Sequence, residues 1–437
     1  MAHRFIAGLL LLCVFILPAS AAQKIQRVVT PAGIEVWLVQ ERKIPIIALE
    51  AAWRGGAVAN PKGKEGLATL AMGLMDEGSG DDNRVVFHDK LDDNAVEMGF
   101  SAGRDTLSLS LRTLSEKRDI AFELLGQALT KPRFDPEPLE VSRRQMIVAL
   151  ERSDSNPNAL SGRTWSAAAF PDHPYGRPTD GTRESLPALT RQDVADFVSQ
   201  RLARDNLVIS VVGDIDAAGV ATLVDKAFAG LPAKSAPLSV PDVVPVAQAA
   251  PIVVQRDIPQ SVVVFGGPGL MRLDPDYYAA YVLNYVIGGG GFASRLMEEV
   301  REKRGLAYGV YTYLQPMDHA ALHLGGVSTR NDGVAESLRI VRAELARLRE
   351  KGVTAAELAN AKSYITGSFP LQLSTNARIA GILTSVQIQR LGIDYLDKYT
   401  SYIDAVTLDQ VNRVAKRLLD PDHMLTVVVG KPVGLGG

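Results

Sequence analysis

Arg301 and Tyr308 stand seven residues apart in the stretch VREKRGLAY at 300–308. Together they could act as a hydrogen-bonding clamp. A guanidinium carries five donors in a fixed fork and a phenol carries one. That set suits a peptide carbonyl, or the oxyanion that forms when the carbonyl is attacked. In the plainer alternative, Arg301 pairs with Glu298 or Glu302 and Tyr308 packs in a strand. Just upstream lies GGGGFASRL at 288–296. Its glycines invite a phosphate-loop reading, but the G-K-[ST] ending and an acidic partner for a ribose are missing. A flexible hinge between helices fits the run better.

The other candidate chemical groups do not gather. His319 and His323 have the four-residue spacing of a helical metal pair. However, ALHLGGV at 321–327 alternates as a strand, where four residues span about 13 Å, too far for one metal. His173, beside Pro174 and Tyr175, reads as a loop residue that orders a turn, and His88 and His423 have no partner in sequence. The absence of G-x-S-x-G argues against a serine hydrolase. Cys13 is the only cysteine, and it falls in the leader described below. That excludes disulfides and cysteine-based zinc sites in the mature chain.

The elements that position the pair can be read nearby. Residues 294–304 form a short helix, with Gly305 placed to end it. Residues 307–313 then alternate as a strand. Arg301 falls in the last helical turn and Tyr308 at the strand start, so the turn can bring both heads together.

The whole chain repeats. TRQDVADFVSQRLARDNLVISVVG at 190–213 matches TLDQVNRVAKRLLDPDHMLTVVVG at 407–430 at an ungapped offset of 217 residues. Thr190/Thr407, Val194/Val411, Leu202/Leu419 and Gly213/Gly430 coincide. Each copy is a Thr-capped amphipathic helix, a turn and a β-branched strand. Glu140 and Glu357 share the offset, each opening a helical stretch. A period this long marks a duplicated domain, since solenoid units repeat every 20–50 residues or so. Each half starts with strands, at 34–40 and 46–53 and again at 252–255 and 261–266. Helices follow, one of them running from an Asp332 cap to Gly352. The expected fold class is α+β: two homologous domains, each a mainly antiparallel sheet with helices packed on one face. The domains are 23–230 and 251–437, and the Pro/Ala-rich stretch 231–250 reads as a semi-extended linker.

Residues 1–22 read as a secretory signal peptide. Arg4 supplies the charge, 5–17 the apolar run, and Ala19-Ser20-Ala21 the cleavage site. Its removal leaves about 415 residues, enough for two or three domains on a size prior of about 100–200 residues each. Apolar content of 46% is ordinary for a globular protein. A net charge of −2 gives no electrostatic case for nucleic acid or anionic lipid. No later segment is apolar enough for a membrane anchor. Export without an anchor points to the periplasm.

The stretches at 288–296 and 300–308 closely resemble the second-domain signature of the pitrilysin/insulinase (inverzincin) family of zinc metallopeptidases. In that family the Arg and Tyr line a peptide-binding cleft. FPDHPYGRP at 170–178 with Gly181-Thr182, Asn206-Leu207 through Asp214, and Gln260 and Gly266 before Pro268-Gly269 extend the resemblance over essentially the whole mature chain. The first-domain motif of the family is H-x-x-E-H, whose His bind zinc and whose Glu activates water. Here Thr69, Met72 and Gly73 occupy those positions, and none can hold zinc or move a proton. Glu151 matches the third ligand of the family as a lone remnant and is expected to be an ordinary helix acid. Thr69, Met72 and Gly73 are then expected in a packing helix, with Leu67, Leu70, Leu74 and Met75 in the core.

The resemblance implies a non-catalytic subunit of a heterodimeric zinc metallopeptidase. It is similar to the Arg/Tyr-bearing partner in bacterial two-chain peptidases and in mitochondrial processing peptidase. Such a chain holds no cofactor of its own. Zinc is expected in a homologous partner subunit that closes with it like a clamshell around peptide substrates. The alternative is a peptide-binding or scaffold protein that has left proteolysis altogether.

Overall fold

The computed structural model describes residues 24–248 and 250–435. The export signal expected at 1–22 lies outside the described residues. The first half contains β1 (Gln26–Val29), β2 (Glu35–Gln40), β3 (Ile46–Arg54), β6 (Glu97–Ala102), β7 (Thr106–Leu114) and β8 (Leu207–Gly213). The short β4 (Gly78–Ser79) and β5 (Asp82–Asn83) form a separate two-stranded pair. The second half contains β9 (Ile252–Gln255), β10 (Gln260–Pro268), β11 (Ala307–Pro316), β12 (Ala321–Arg330) and β13 (Leu425–Gly430). The first sheet runs β1-β2-β8-β3-β7-β6 and the second β11-β12-β10-β13-β9. Read from the opposite edge, the second sheet repeats the first without β1. Only β2–β8 and β9–β13 are parallel; every other pairing is antiparallel. The expected α+β fold of two homologous domains is therefore present, with mainly antiparallel sheets.

Helices of each half pack on one face of its own sheet. In the first half these include α1 (Leu67–Met72), α2 (Arg84–Asp93), α3 (Arg118–Thr130), α4 (Pro136–Ser155), α6 (Ser185–Ala188), α7 (Arg191–Arg201) and α8 (Ala217–Phe228). Ile47, Leu49, Ala51 and Trp53 of β3 point into that core beside Phe122, Leu125 and Phe228. The second half places α9 (Tyr277–Asn284), α10 (Val334–Lys351), α11 (Ala355–Gln372), α13 (Tyr395–Asp404) and α14 (Leu408–Leu418) in the same way. The repeated unit is visible at both caps. Thr190 and Thr407 each accept from the backbone three residues on, and Asp193 and Gln410 return the bond. The helix expected from an Asp332 cap begins instead after a 3₁₀ turn, with Gly333 at the cap. Asp332 turns outward to Arg330, 3.2 Å away.

The other face of each sheet is covered by a helix from the opposite half. The two remaining helices, α5 (Pro157–Ala169) and α12 (Asn376–Ile388), exchange. Helix α5 lies across β13 and β10, and α12 across β8 and β3. They are equivalent in the repeat: shifting 157–169 by 217 gives 374–386, two residues from α12. Trp165 of α5 is 1% exposed and packs with Leu425, Val427 and Val429. Its Nε1–H donates to Leu425 O at 3.0 Å. On the other side Ile379, Ala380, Leu383 and Val386 of α12 meet Trp37, Val39 and Val212. Thr384 donates to Glu50 O (3.2 Å), and the Gln387 amide donates to Ile209 O (3.0 Å) and Ser210 Oγ (2.8 Å). Coverage on both faces explains why LVISVVG and LTVVVG read as continuous apolar runs and not as alternating ones.

Residues 231–248 cross this junction without regular structure. Val243 N donates to His319 O (2.8 Å) and Val246 N to Ala169 O (2.9 Å), which fixes the segment to both halves. Among the described residues no helix is long and apolar enough to cross a membrane.

Glu50 stands on the face of β3 beneath α12, because its neighbours Leu49 and Ala51 point the other way. Burial pushes its carboxyl up to about 7. An acid with a raised folded pKa favours the folded state while protonated. That contribution fades as pH rises from its unfolded value, near 4.3, through 7. Glu50→Gln should therefore match the wild type in urea denaturation at pH 4. At pH 8 it should exceed the wild type by about 1–2 kcal/mol, the pKa shift discounted for partial solvent access. Equal stabilities at pH 8 would refute a strained carboxylate under α12.

Candidate functional site

A chamber of about 1150 Å³ opens between the halves. One wall is formed by α4, α5 and the loop 175–184, and the other by β10, β11 and β12. The second wall is aromatic. Tyr311 and Tyr313 share a face of β11, with ring centroids 6.2 Å apart. Gly326, opposite Tyr311 on β12, makes this possible: a Cβ there would lie 2.7 Å from the Tyr311 hydroxyl. Strand β11 is an edge strand, and its register with β12 slips between Ala307 and Val310. The bulge lifts Tyr308 out of the ladder and leaves its side chain 87% exposed at the chamber.

The turn brings Arg301 and Tyr308 together. The guanidinium carbon lies 5.1 Å from the Tyr308 ring centroid and 4.5 Å from that of Phe292. Arg301 therefore lies against both rings, and its Nε also lies 3.6 Å from Glu302 Oε1. Of the plainer alternative read from the sequence, the pairing with Glu302 is present, whereas Tyr308 is exposed and does not pack in its strand. Glu298 is engaged elsewhere, with Lys303 at 2.9 Å. Phe292, 70% exposed, was not anticipated. Its only sequence signal is an aromatic residue directly after the glycine run.

The run 288–291, expected as a flexible hinge, is tightly packed at Gly288 and open at Gly291. A Cβ on Gly288 would sit 2.6 Å from Thr312 N on β11, and one on Gly289 the same 2.6 Å from Asn284 Nδ2. Gly291 takes the left-handed φ of 57°. The expected regular helix at 294–304 is also different. Gly290 N bonds Tyr285 O and Lys303 N bonds Glu298 O, both at 2.9 Å and both five residues back. Such widened π-type turns recur at functional sites. Gly305, at φ 62°, ends the segment as expected. The segment is anchored by Arg295, whose fork meets Glu357 at 2.6 and 2.8 Å. That contact, supplemented by bonds from Thr354, holds the Glu357 carboxyl down to about 2. At the far end of β11, buried Tyr175 fixes the hairpin turn. Its hydroxyl donates to Asp105 (2.7 Å) and accepts from His319 N (2.9 Å).

On the opposite wall, Thr69 lines the chamber and donates to Thr179 O at 3.1 Å. Met72 is fully buried, and Gly73 caps α1. Leu67, Leu70, Leu74 and Met75 are all in the core. Glu151 is exposed on α4 and lines a separate recess with Asp154, Arg183 and Arg256. The zinc-motif positions are thus a packed helix, and the residues present do not fit a metal. Among the described residues no group of three or more His, Cys, Asp or Glu could hold one. His319 bonds Asp242 at 3.1 Å from a turn, while buried His323 faces Asn284 at 3.3 Å. His173 accepts from Tyr175 N at 3.1 Å, ordering its own turn.

The two homologous α+β domains exchange helices and face one chamber. The domain model described as peptidase M16 inactive domain matches residues 188–365. The non-peptidase homolog YmxG of Helicobacter pylori is 27% identical over 422 residues, covering 96% of this chain and 97% of that protein. An uncharacterized zinc protease of Mycobacterium bovis is 30% identical over 312 residues, 69% of each chain. The crystal structure of a peptidase M16 inactive domain from Pseudomonas fluorescens superposes with a TM-score of 0.88 at 29% identity. The match covers 94% of this chain and 99% of that one. The chain belongs to the peptidase M16 family, and it resembles the inactive members by both motif and relatives.

Two outcomes are expected from this geometry. Elemental analysis of the dialysed protein should find far less than one zinc per chain, and a stoichiometric, tightly held zinc would contradict the packed α1. Gly288→Ala should cost about 1–3 kcal/mol in denaturant unfolding, the usual range for overpacking, because the new methyl meets the β11 backbone. A wild-type midpoint would restore the hinge reading.

Proposed function

We propose that this chain is the non-catalytic subunit of a two-chain zinc peptidase. It would bind peptide in its chamber and lend Arg301 and Tyr308 to the site of a homologous zinc-bearing partner. The observation that carries this reading is the Phe292–Arg301–Tyr308 cluster, whose Tyr308 lines the chamber. An 87% exposed tyrosine beside a guanidinium that lies against two exposed rings gives little to the fold of a lone chain. It makes sense as a preorganised donor pair facing substrate. Stacking fixes the arginine in advance, so little rotamer freedom remains to be lost when a carbonyl arrives. The zinc chemistry belongs to the partner; this chain supplies donors and an aromatic wall. The leader pattern at 1–22 supports assembly in the periplasm.

A second reading is supported by Tyr311 and Tyr313, which give the chamber an aromatic wall that needs no partner. On that reading the protein is a peptide-binding scaffold.

Mixing with a zinc-bearing homologue from the same source separates the two. The chain alone should leave peptides intact, and the mixture should cleave them faster than the homologue alone. Tyr308→Phe keeps the ring and removes one donor, so kcat of the pair should fall by about 100- to 1000-fold. Arg301→Ala should raise KM as well, since the guanidinium can also contact the ground-state peptide. Unchanged turnover with both residues replaced would leave the scaffold reading.

A further inference from the structure

A second cavity, of about 370 Å³, opens at one end of the second sheet and shares only Leu324 with the chamber. It lies between the end of β10, the start of β12 and the 417–424 connection from α14 to β13. The volume falls within the range of small-molecule sites and is about twelve times the 30 Å³ or so that one water occupies. Its walls are apolar, with Phe265, Leu345, Leu419 and Met424 among them. Two polar groups interrupt them. The Thr312 hydroxyl is buried without a hydrogen-bond partner. His323 is 8% exposed, with its Nε2 facing Asn284 Oδ1 at 3.3 Å.

These groups specify a ligand. A carbonyl oxygen can only accept, so Nε2 of His323 carries the proton and Nδ1 is left as a bare acceptor. Burial pushes the imidazole pKa down to about 4, so the ring is neutral at physiological pH. The charges at the rim are already paired: Arg417 with Asp274 and Asp276, and His423 with Asp420 at 2.9 Å. An ionised ligand would therefore lose its hydration without gaining a counter-charge. A hydroxyl head can donate to His323 and accept from Thr312, relieving the orphan.

We propose that this cavity is a binding site for a neutral hydroxylated apolar molecule, an alcohol or phenol, with its hydroxyl between Thr312 and His323 and its body against Phe265 and Leu345.

Calorimetric titration of the full chain at neutral pH tests this with four probes: p-cresol, toluene, 4-methylbenzoate and 4-methylbenzylamine. We expect p-cresol to bind saturably and to raise Tm with concentration. It should bind about tenfold more tightly than toluene, the contribution of a pair of buried hydrogen bonds. The charged probes should not bind. Thr312→Val preserves shape and removes the orphan, so it should fold with a Tm no lower than the wild type. It should also bring p-cresol down to the affinity of toluene. No saturable p-cresol binding would mean that the cavity holds water alone and would overturn the proposal. So would an undiminished preference for p-cresol in the Val variant, or equal binding of 4-methylbenzoate.

Discussion

Neither sheet buries both faces with its own helices, and the rest of the structure depends on how that deficit is met. Helices α5 and α12 occupy equivalent places in the repeat, and each covers the sheet of the other half. The exchange makes two domains into one body. It also sets the chamber, because α5 forms part of one wall while it roofs the strands beside the other. The polar contacts at the junction add direction to the burial. Trp165 donates to the backbone of β13, and Gln387 donates to that of β8. Apolar packing alone would tolerate sliding, whereas a side chain bonded to a particular carbonyl fixes the register.

The candidate site depends on a second local constraint, the close approach of 285–289 to β11. Gly288 permits that approach, and the Arg295–Glu357 fork anchors the widened turn at 297–302. Phe292 and Arg301 are thereby carried to Tyr308, which the β11 bulge presents from the other side. Two irregularities, a widened helix and a slipped ladder, therefore meet at one guanidinium. Regular elements would have kept these side chains apart.

Short-range codes were legible in the sequence. The N-caps at Thr190 and Thr407, the 217-residue offset and the strand at 252–255 involve neighbours or repetition. What lay beyond the sequence was mostly non-local. Trp165 and Ala169 mark an apolar face, but the period of a helix says nothing about which sheet it will meet. A glycine reads the same whether it gives freedom or close approach; the 2.6 Å separation at Gly288 decides between them. Phe292 escaped notice because its partner Arg301 is nine residues away and is reached only through a turn of unusual width. The assignment of Arg301 and Tyr308 to peptide contacts came from resemblance. The geometry adds a physical reason for the arginine to be rigid.

The helix exchange also sets a timetable. The outer face of the first sheet, with Trp37, Val39 and Val212, is complete in sequence at Gly213. Its cover ends only at Ile388, 175 residues later (388 − 213). At synthesis rates of about 5–20 residues per second, a chain emerging from its N-terminus would leave that surface bare for roughly 9–35 s. During that interval the first half presents an apolar sheet face that its own helices do not cover. Its native guardian is a segment of the same chain that has yet to be made.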